Sequence, residues 1–437
     1  MLPMLPILLA AAAAGPSFPC AKYQLPNGLT VILHEDHTTP TVVVDVLMRV
    51  GSRDEKKGRT GFAHLFEHLM FMGAKLAPGN TFDTLMEALG GQNNASTGND
   101  WTEYFEWGPS NLLPVFLWLE GDRLGTVGQE MTQDKLDLQR KVVQNERRQT
   151  SENTPYGVAE LEVPGQMFPP GHPYHHPVIG SHEDLTAANV QDVKDFFARY
   201  YVASNATLLL AGDFKSDDAR ALIDRYFGWL PRRPAPERLA AERPVFDRAK
   251  SVDLTDAVQL PRVYFIWHSA AQYAPGDADL DILGSVLSQS KASRLQKALV
   301  HEARVASHVT VAQESLLASG MFTVEVTAAA GKSIAELEQR TRAALDAALA
   351  TPPSAAEIAQ ARTQIETRLW NAVEALRTRA SILARYNGTL GEPNALAQDL
   401  ERYARVTPES VMAEAKKTLD WNRVLTLRVT PRTQGSK

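Results

Sequence analysis

The stretch that most constrains this chain is residues 60–73, TGFAHLFEHLMFMG, which would be apolar on nearly every side of a helix. His64 and His68 are four residues apart and so share one helix face, with Glu67 beside them. Burying these groups without partners would be costly. A bound cation removes the cost, because two neutral imidazoles can ligate it while the carboxylate holds a proton of its water. The alternative is a hydrogen-bonded core triad. Thr60 is expected to cap this helix.

The composition is that of a soluble globular protein. The chain has 437 residues, 44% of them hydrophobic and 22% charged, which is enough for two or three domains with their own cores. The net charge is -6, and no basic stripe with aromatic residues is present. Nucleic acid is therefore not an expected partner. No segment beyond the N-terminal region has the pattern of a transmembrane helix.

The N-terminal region resembles a secretory signal. Residues 2–14 are apolar, and their alanines offer a small-residue cleavage site before Gly15, although the charged n-region is missing apart from the amino terminus. We therefore predict a signal peptide at residues 1–20 and a periplasmic or secreted location, with the cytoplasm as the alternative. The only cysteine, Cys20, excludes an intramolecular disulfide and a thiolate zinc site, and the residues before it form a poor lipobox.

Strand and helix patterns occur in both halves of the chain without strict alternation, which favours an α+β fold. Strands are predicted at residues 23–33, turned at Asn27-Gly28, and at residues 41–50, 93–107, 206–211, 262–268 and 424–429. Helices are predicted at residues 81–89, 111–124, 133–150, 192–201, 334–349 and 355–386.

A faint internal repeat indicates two similar halves. Thr186 and Thr407, which are 221 residues apart, each lead through a helix to an asparagine and a strand. The Pro- and Arg-rich residues 231–245 are the best linker pattern. We predict an N-terminal catalytic domain at residues 21–230 and a C-terminal substrate or partner domain at residues 246–437.

The order of the ionisable residues in the organising helix is H-x-x-E-H, the inverse of the commoner H-E-x-x-H pattern. A zinc hydrolase needs three protein ligands, an open position for water and a carboxylate that takes the water's proton. Because Glu67 cannot easily be both ligand and base, a third ligand must come from elsewhere. Glu146, on the apolar stripe of helix 133–150, is the candidate. It could instead be a buried salt-bridge residue, and Glu152 and Glu160 are weaker rivals.

Several blocks of the sequence match one family. These blocks are residues 51–52, 61–73, 91–97, 145–146, 172–174, 179–180, 183–185 and 205–213. Together they resemble the pitrilysin (insulinase) family of zinc peptidases, in its short-chain, processing-peptidase-like branch. The resemblance is strong over residues 22–215 and weaker beyond them.

The resemblance implies a site and a fold. His64, His68 and Glu146 would hold one zinc ion, and Glu67 would be the general base. Each chain would have two related α+β domains, each a mostly antiparallel sheet with helices packed on it, and two such units would enclose a chamber for unfolded peptides. Substrate would add as a strand near residues 94–97, namely Asn94, Ala95, Ser96 and Thr97. An ordinary edge strand is the alternative for that stretch.

The chain departs from the family pattern at three positions. Gln139 stands where members commonly carry a second glutamate, so we expect altered tuning of the site but retained zinc. Val300 and Ser307 stand where the family places an arginine and a tyrosine that hold the substrate. The sequence therefore predicts the catalytic subunit of a heterodimer, in which a homologous partner chain supplies the missing Arg and Tyr.

Alternatives remain at this point. The runner-up function is a non-catalytic peptide-binding or assembly subunit on the same fold. A two-histidine, one-carboxylate set does not exclude iron or manganese. The cluster His172, His175 and His176 could form a second metal site, although its Pro-rich setting favours a structural role in a loop.

Overall fold

The computed structural model describes residues 17–432. Residues 1–16 of the predicted signal peptide lie outside the described residues. Within residues 17–432, no helix combines the length and the apolarity that crossing a bilayer requires.

The first half of the chain forms a six-stranded sheet. Its strands are Ala21–Gln24 (β1), Thr30–Glu35 (β2), Thr41–Met48 (β3), Gln92–Thr97 (β4), Thr102–Pro109 (β5) and Ala206–Gly212 (β6). The spatial order is β1-β2-β6-β3-β5-β4, and β2 with β6 is the only parallel pair. Among the described residues, β4 therefore forms the end of the sheet and pairs with β5 alone.

The second half forms a five-stranded sheet with the same topology. Its strands are Lys250–Asp256 (β7), Arg262–Ser269 (β8), Ala306–Ser315 (β9), Gly320–Ala328 (β10) and Leu425–Pro431 (β11). The order is β7-β11-β8-β10-β9, again with one parallel pair, β7 with β11. It repeats the first sheet without a counterpart of β1. This confirms the prediction of two related, mostly antiparallel α+β domains.

Helices cover both sheets. Those of the first half are Phe62–Leu69 (α1), Thr81–Leu89 (α2), Leu113–Thr126 (α3), Gln133–Arg147 (α4), Gly157–Met167 (α5), His182–Ala187 (α6), Val190–Tyr200 (α7) and Ser216–Phe227 (α8). Those of the second half are Asp277–Ser288 (α9), Ile334–Leu349 (α10), Ala355–Glu374 (α11), Leu376–Leu390 (α12), Leu396–Ala404 (α13) and Pro408–Thr418 (α14).

Each sheet packs on its own helices with one face and on the other half of the chain with its second face. Successive side chains of a strand point to opposite faces, so Val44 of β3 joins the main core while Val43 and Leu47 face the other way. There they meet Ala380 and Leu383 of α12, a helix of the second half.

The second sheet is covered in the same reciprocal way. Tyr264 and Ile266 of β8 share a buried cluster with Ala159 and Met167 of α5 and with Phe168, all from the first half. The two halves therefore exchange covering elements.

Residues 231–245, between α8 and β7, contain neither helix nor strand. Hydrogen bonds nevertheless hold this segment on the first half. Arg53 Nη2 donates to the carbonyl oxygen of Leu239 at 2.9 Å, and Arg238 donates to the carbonyl oxygen of Asp100.

Three predicted elements differ most from the structure, while the bounds of several others differ by one or two residues. The strand predicted at residues 93–107 is a hairpin, β4 and β5, because residues 98–101 form a turn in which Gly98 N donates to Trp101 O at 2.8 Å. The helix predicted at residues 355–386 is two helices, since Ala375 has extended backbone between α11 and α12. The helix predicted at residues 133–150 ends at Arg147 and continues as a wider π turn over residues 148–152.

Candidate metal centre

The helix that carries the histidines, α1, begins one residue later than predicted. Its N-cap is Gly61, not Thr60, whose side chain instead donates to Asp184 at 2.6 Å. Gly61 has a φ of 84°. A Cβ atom added to Gly180 would lie 2.3 Å from the Cα atom of Gly61. Both positions therefore require glycine, because the backbones cross without room for a side chain.

A buried carboxylate fixes the start of α1. The Glu55 side chain accepts hydrogen bonds from Gly61 N at 2.9 Å and from Ala63 N at 2.7 Å. Burial raises the pKa of Glu55 well above its ordinary value, although both N–H groups oppose that shift. Glu55 was missed in the sequence, where only its position shortly before the helix could have drawn attention to it.

The ligand candidates converge because α1 packs against α4. Leu136 and Val143 of α4 are fully buried, as the apolar stripe predicts, and the same stripe directs Glu146 towards α1. His68 Nε2 lies 3.1 Å from one carboxylate oxygen of Glu146, and His64 Nε2 lies 3.6 Å from the other. The three donor atoms lie within 4.8 Å of one another, the only such His, Cys, Asp or Glu group in residues 17–432.

The two imidazoles differ in their electrostatic environment. Their ring centroids are 4.8 Å apart and the rings are nearly perpendicular, at 87°. Burial lowers the pKa of His64 to about 4, against the influence of Glu146, and His68 lowers it further. Burial also acts to lower the pKa of His68 and is the largest single influence, but the hydrogen bond and the charge of Glu146, together with Glu67 and Gln139, outweigh it and the pKa is raised. The His68 hydrogen bond correspondingly lowers the pKa of Glu146.

The candidate base, Glu67, is held from the edge of the sheet. Thr97, the last residue of β4, donates its hydroxyl to Glu67 Oε2 at 2.5 Å. Burial raises the pKa of Glu67, partly offset by the Thr97 hydrogen bond and by His68. A raised pKa suits a group that must take up a proton and release it again near neutral pH.

The other predicted substrate contacts lie along β4. Asn94, Ala95 and Ser96 precede Thr97 on this edge strand, and only β5 pairs with it. Asn94 is exposed, and Ala95 and Ser96 are half-buried. The contact between Thr97 and Glu67 was not predicted from the sequence.

The three residues that depart from the family pattern each have identifiable contacts. Gln139 donates to the sulfur of Met72 and forms a hydrogen bond that contributes to the raised pKa of His68. Val300 packs against the core of the second half. Ser307 donates to the carbonyl oxygen of Ala328 at 3.0 Å. Neither Val300 nor Ser307 therefore offers a long polar side chain to a substrate.

The weaker rivals for metal ligation have other contacts. Glu152 is bonded to Arg147 at 2.8 Å and to His182 at 2.9 Å, and Glu160 lines a cavity between the two halves. The three loop histidines each face a backbone carbonyl group; they are His172, His175 and His176. These contacts are those of loop-stabilising residues.

Comparisons with known proteins agree with the fold and identify the family. Residues 30–168 match the family model described as Insulinase (Peptidase family M16), and residues 187–365 match that described as Peptidase M16 inactive domain. A solved structure, of a protease from Helicobacter pylori, superposes with a TM-score of 0.88 at 26% identity and covers 95% of this chain and 100% of that chain.

Two curated relatives match over part of their length. The zinc protease PqqE of Helicobacter pylori is 33% identical over 288 residues, which cover 65% of this chain and 64% of that protein. The mitochondrial-processing peptidase subunit beta of Blastocladiella emersonii is 26% identical over 225 residues, 51% of this chain and 47% of that protein. The match thus spans less than two thirds of either relative. Together with the two family models, these likenesses show that the chain belongs to the pitrilysin (insulinase, M16) family of zinc peptidases.

Proposed function

We propose that this chain is a zinc-dependent endopeptidase that hydrolyses unfolded peptides and is the catalytic subunit of a heteromeric pair. The observation that carries the proposal is the convergence of His64, His68 and Glu146 within 4.8 Å, with Glu67 on the same helix face and hydrogen-bonded from the sheet edge.

The donor set suits one zinc ion. Two imidazole nitrogens and one carboxylate oxygen are ligands that zinc accepts in catalytic sites, which leave a fourth position open. The lowered pKa of His64 keeps its ring neutral at pH 7, as ligation requires. The pairing of His68 with Glu146 brings together two groups that would both serve as ligands.

Each side chain has a distinct role in this proposal. Zinc, when bound, would polarise the peptide carbonyl group and lower the pKa of water at the open position. Glu67 takes the proton of the attacking water at a carboxylate oxygen and later delivers it to the leaving amine. Thr97 fixes the orientation of that carboxylate through its 2.5 Å hydrogen bond.

Peptide binding is proposed at the free edge of β4. The N–H and C=O groups of an edge strand that point away from its partner are open to a further strand. A peptide lying along Asn94, Ala95, Ser96 and Thr97 would be bound by its backbone and would pass close to Glu67. This mode of binding favours extended chains and depends little on their sequence.

A partner chain is proposed because Val300 and Ser307 cannot hold a substrate as arginine and tyrosine do. The two residues are already engaged in the core and with Ala328. A homologous chain that carries Arg and Tyr would complete the site across the chamber. The isolated chain should then cleave peptides slowly, and addition of the partner should restore turnover; full turnover by the isolated chain contradicts this part of the proposal.

The central test is Glu67→Gln in the presence of the partner. We expect kcat to fall by about a thousandfold, because general-base catalysis typically contributes about 10²–10⁴, while zinc content stays at one per chain. The matched control is Glu87→Gln, an exposed glutamate of α2, which should leave kcat unchanged. Cleavage that survives Glu67→Gln would remove the assigned mechanism.

The second candidate is a non-catalytic peptide-binding or assembly subunit. The missing arginine and tyrosine and the match of residues 187–365 to an inactive domain favour it. It predicts peptide binding without hydrolysis in every combination of chains. Metal analysis of the purified protein separates zinc from iron or manganese in the same experiment.

We further propose that the chain is exported to the periplasm or beyond, with the cytoplasm as the alternative. The apolar residues 2–14 support export. Fractionation of cells that express the full chain, with N-terminal sequencing of the product, tests it. An intact N-terminus in the cytoplasmic fraction would contradict export.

A further inference from the structure

A cavity of about 270 Å³ lies between the two halves, beside the turn that joins β4 to β5. Three arginines from three different segments line it. Arg49 follows β3, Arg238 belongs to residues 231–245, and Arg385 lies on α12 of the second half. The cavity is thus formed only when these segments assemble.

An aspartate that lines this cavity has both carboxylate oxygens engaged by other groups. Asp100 accepts from Arg53 at 2.8 Å and from the Tyr174 hydroxyl at 2.7 Å through one oxygen. Its other oxygen accepts from Leu317 N at 3.0 Å. The direct ion pair of Asp100 is therefore with Arg53, and not with an arginine that lines the cavity.

Two of the three guanidinium groups have no carboxylate closer than 3.9 Å within residues 17–432. Arg238 donates to the carbonyl oxygen of Asp100, its nearest carboxylate is Asp54 at 3.9 Å, and its buried Nε has no acceptor within residues 17–432. Arg49 is exposed and donates only to the carbonyl oxygen of Ser204, at 3.4 Å. Within residues 17–432, no carboxylate lies within 4.0 Å of Arg49.

The third arginine shapes the wall of the cavity. Arg385 is paired with Glu103 at 2.8 Å and lies over the ring of Trp101, 3.7 Å from its centroid. Its guanidinium is therefore held against Trp101 and Glu103.

Burial lowers the pKa of Arg238, and the neighbouring Arg53 and Arg49 lower it further, against Asp54 and Asp100. Positive charge is in excess here, and an anion would relieve the repulsion.

We propose that this cavity is an oxyanion-binding site that takes a carboxylate or phosphate group between Arg49 and Arg238. Guanidinium groups bind such anions through paired, charge-assisted hydrogen bonds. The turn at residues 98–101 borders the cavity and leads directly from Thr97, so a bound anion would lie next to the peptide-binding edge. The ligand is either a free anion or an acidic group of a peptide on β4; the second case rests on the proposed function.

The first experiment measures binding of inorganic phosphate to the full zinc-loaded chain by calorimetry. We expect Arg238→Ala and Arg49→Ala each to weaken binding about tenfold, since each removes one charge-assisted contact. The charge-matched control is Arg225→Ala, an exposed arginine of α8, which should bind as the wild type does. Because Arg238 also anchors residues 231–245, Arg49→Ala keeps the test valid if the Arg238 variant does not fold.

The second experiment compares peptides that differ only by Glu or Gln at successive positions on both sides of the cleaved bond. A preference for Glu at one position, lost in Arg49→Ala while turnover of the Gln peptide is unchanged, identifies a peptide carboxylate as the ligand. Phosphate binding that depends on Arg49 without such a preference identifies a free anion. If neither phosphate affinity nor peptide preference depends on Arg49 or Arg238, the inference is overturned, whatever the activity of the metal centre.

Discussion

The two sheets of this protein have the same topology but different chemistry. In the first, α1 presents His64, Glu67 and His68, and Glu67 is bonded to Thr97 at the end of edge strand β4. In the second, α9 lies against edge strand β9, and Ser288 Oγ accepts from Val311 N at 2.8 Å. Each half thus places a polar side chain between a helix and its edge strand, but within residues 17–432 only the first brings together side chains that could hold a metal ion.

The internal repeat identifies positions of the second half that can be compared with the candidate metal-site residues of the first half. At the spacing of 221 residues that separates the starts of β3 and β8, His64, Glu67 and His68 fall on Ser285, Ser288 and Gln289, and Glu146 falls on Thr367. The scaffold therefore does not dictate the metal centre. In the proposed function, four side chains on two helices carry the chemistry, while the second copy of the scaffold is free to provide cover and contacts.

The substitution expected to reduce the difference between the two halves most is Glu146→Gln, which removes one candidate metal ligand from the first half. We expect zinc affinity to fall by about a hundredfold or more, because a neutral amide replaces the one anionic ligand. Titration with a competing chelator measures it. Unchanged affinity would show that another carboxylate completes the site, and the exposed Glu87→Gln supplies the control.

A second test uses an acidic residue of α9, a helix that is not part of the proposed metal centre. Burial, together with the charge of Asp277, raises the pKa of Asp281 to about 7, against the hydrogen bond from Tyr403. The stability that depends on its proton is fully present below about pH 4 and is lost as the pH rises through 7. Asp281→Asn should therefore reduce the loss of stability between pH 5 and pH 8 by on the order of 2 kcal/mol. Denaturant titrations at both pH values measure this, and parallel curves would contradict it.

Thr97→Val tests the polar link between helix and edge strand in the first half. The Thr97 hydrogen bond acts to lower the pKa of Glu67, so its loss should raise that pKa further. We expect kcat to fall roughly tenfold, about 1.4 kcal/mol, and the acidic limb of the pH–rate profile to move to higher pH. Thr97→Ser, which keeps the hydroxyl, should restore both. A fall in kcat with an unmoved acidic limb would assign Thr97 a packing role only.

Ser288→Ala tests the corresponding link in the second half and should have the smallest effect. Val311 N would lose its acceptor, at a cost of about 1 kcal/mol in the free energy of unfolding. Zinc content and kcat should not change, because α9 holds no part of the proposed centre. A large loss of activity in a folded variant would contradict the separation of roles between the halves.

The family, the fold class and the paired sheets could be predicted from the sequence. The convergence of Glu146 with His64 and His68 could be predicted because a carboxylate on an apolar stripe requires a partner, and its role as a ligand stays a prediction. Periodicity also predicted helix α10 and most strands, since alternation along a strand depends on local sequence.

Other features could not be predicted because they depend on tertiary contacts. Glu55 caps α1 from outside the helix, and nothing in the local pattern near Gly61 indicates which carboxylate will reach it. The break at Ala375 falls within a good helix-forming sequence, so packing of α12 on the first sheet, not propensity, determines it.

The exchange of covering elements between the halves has a consequence for dissecting the protein. A fragment that stops at residue 230 would lack α12, and the apolar face formed by Ile32, Val43, Leu47 and Leu209 would meet water. A fragment that starts at residue 246 would lack α5 and uncover the β8 face in the same way. Splitting the chain at its irregular middle would therefore yield two aggregation-prone pieces, and only co-expression of both would restore soluble material.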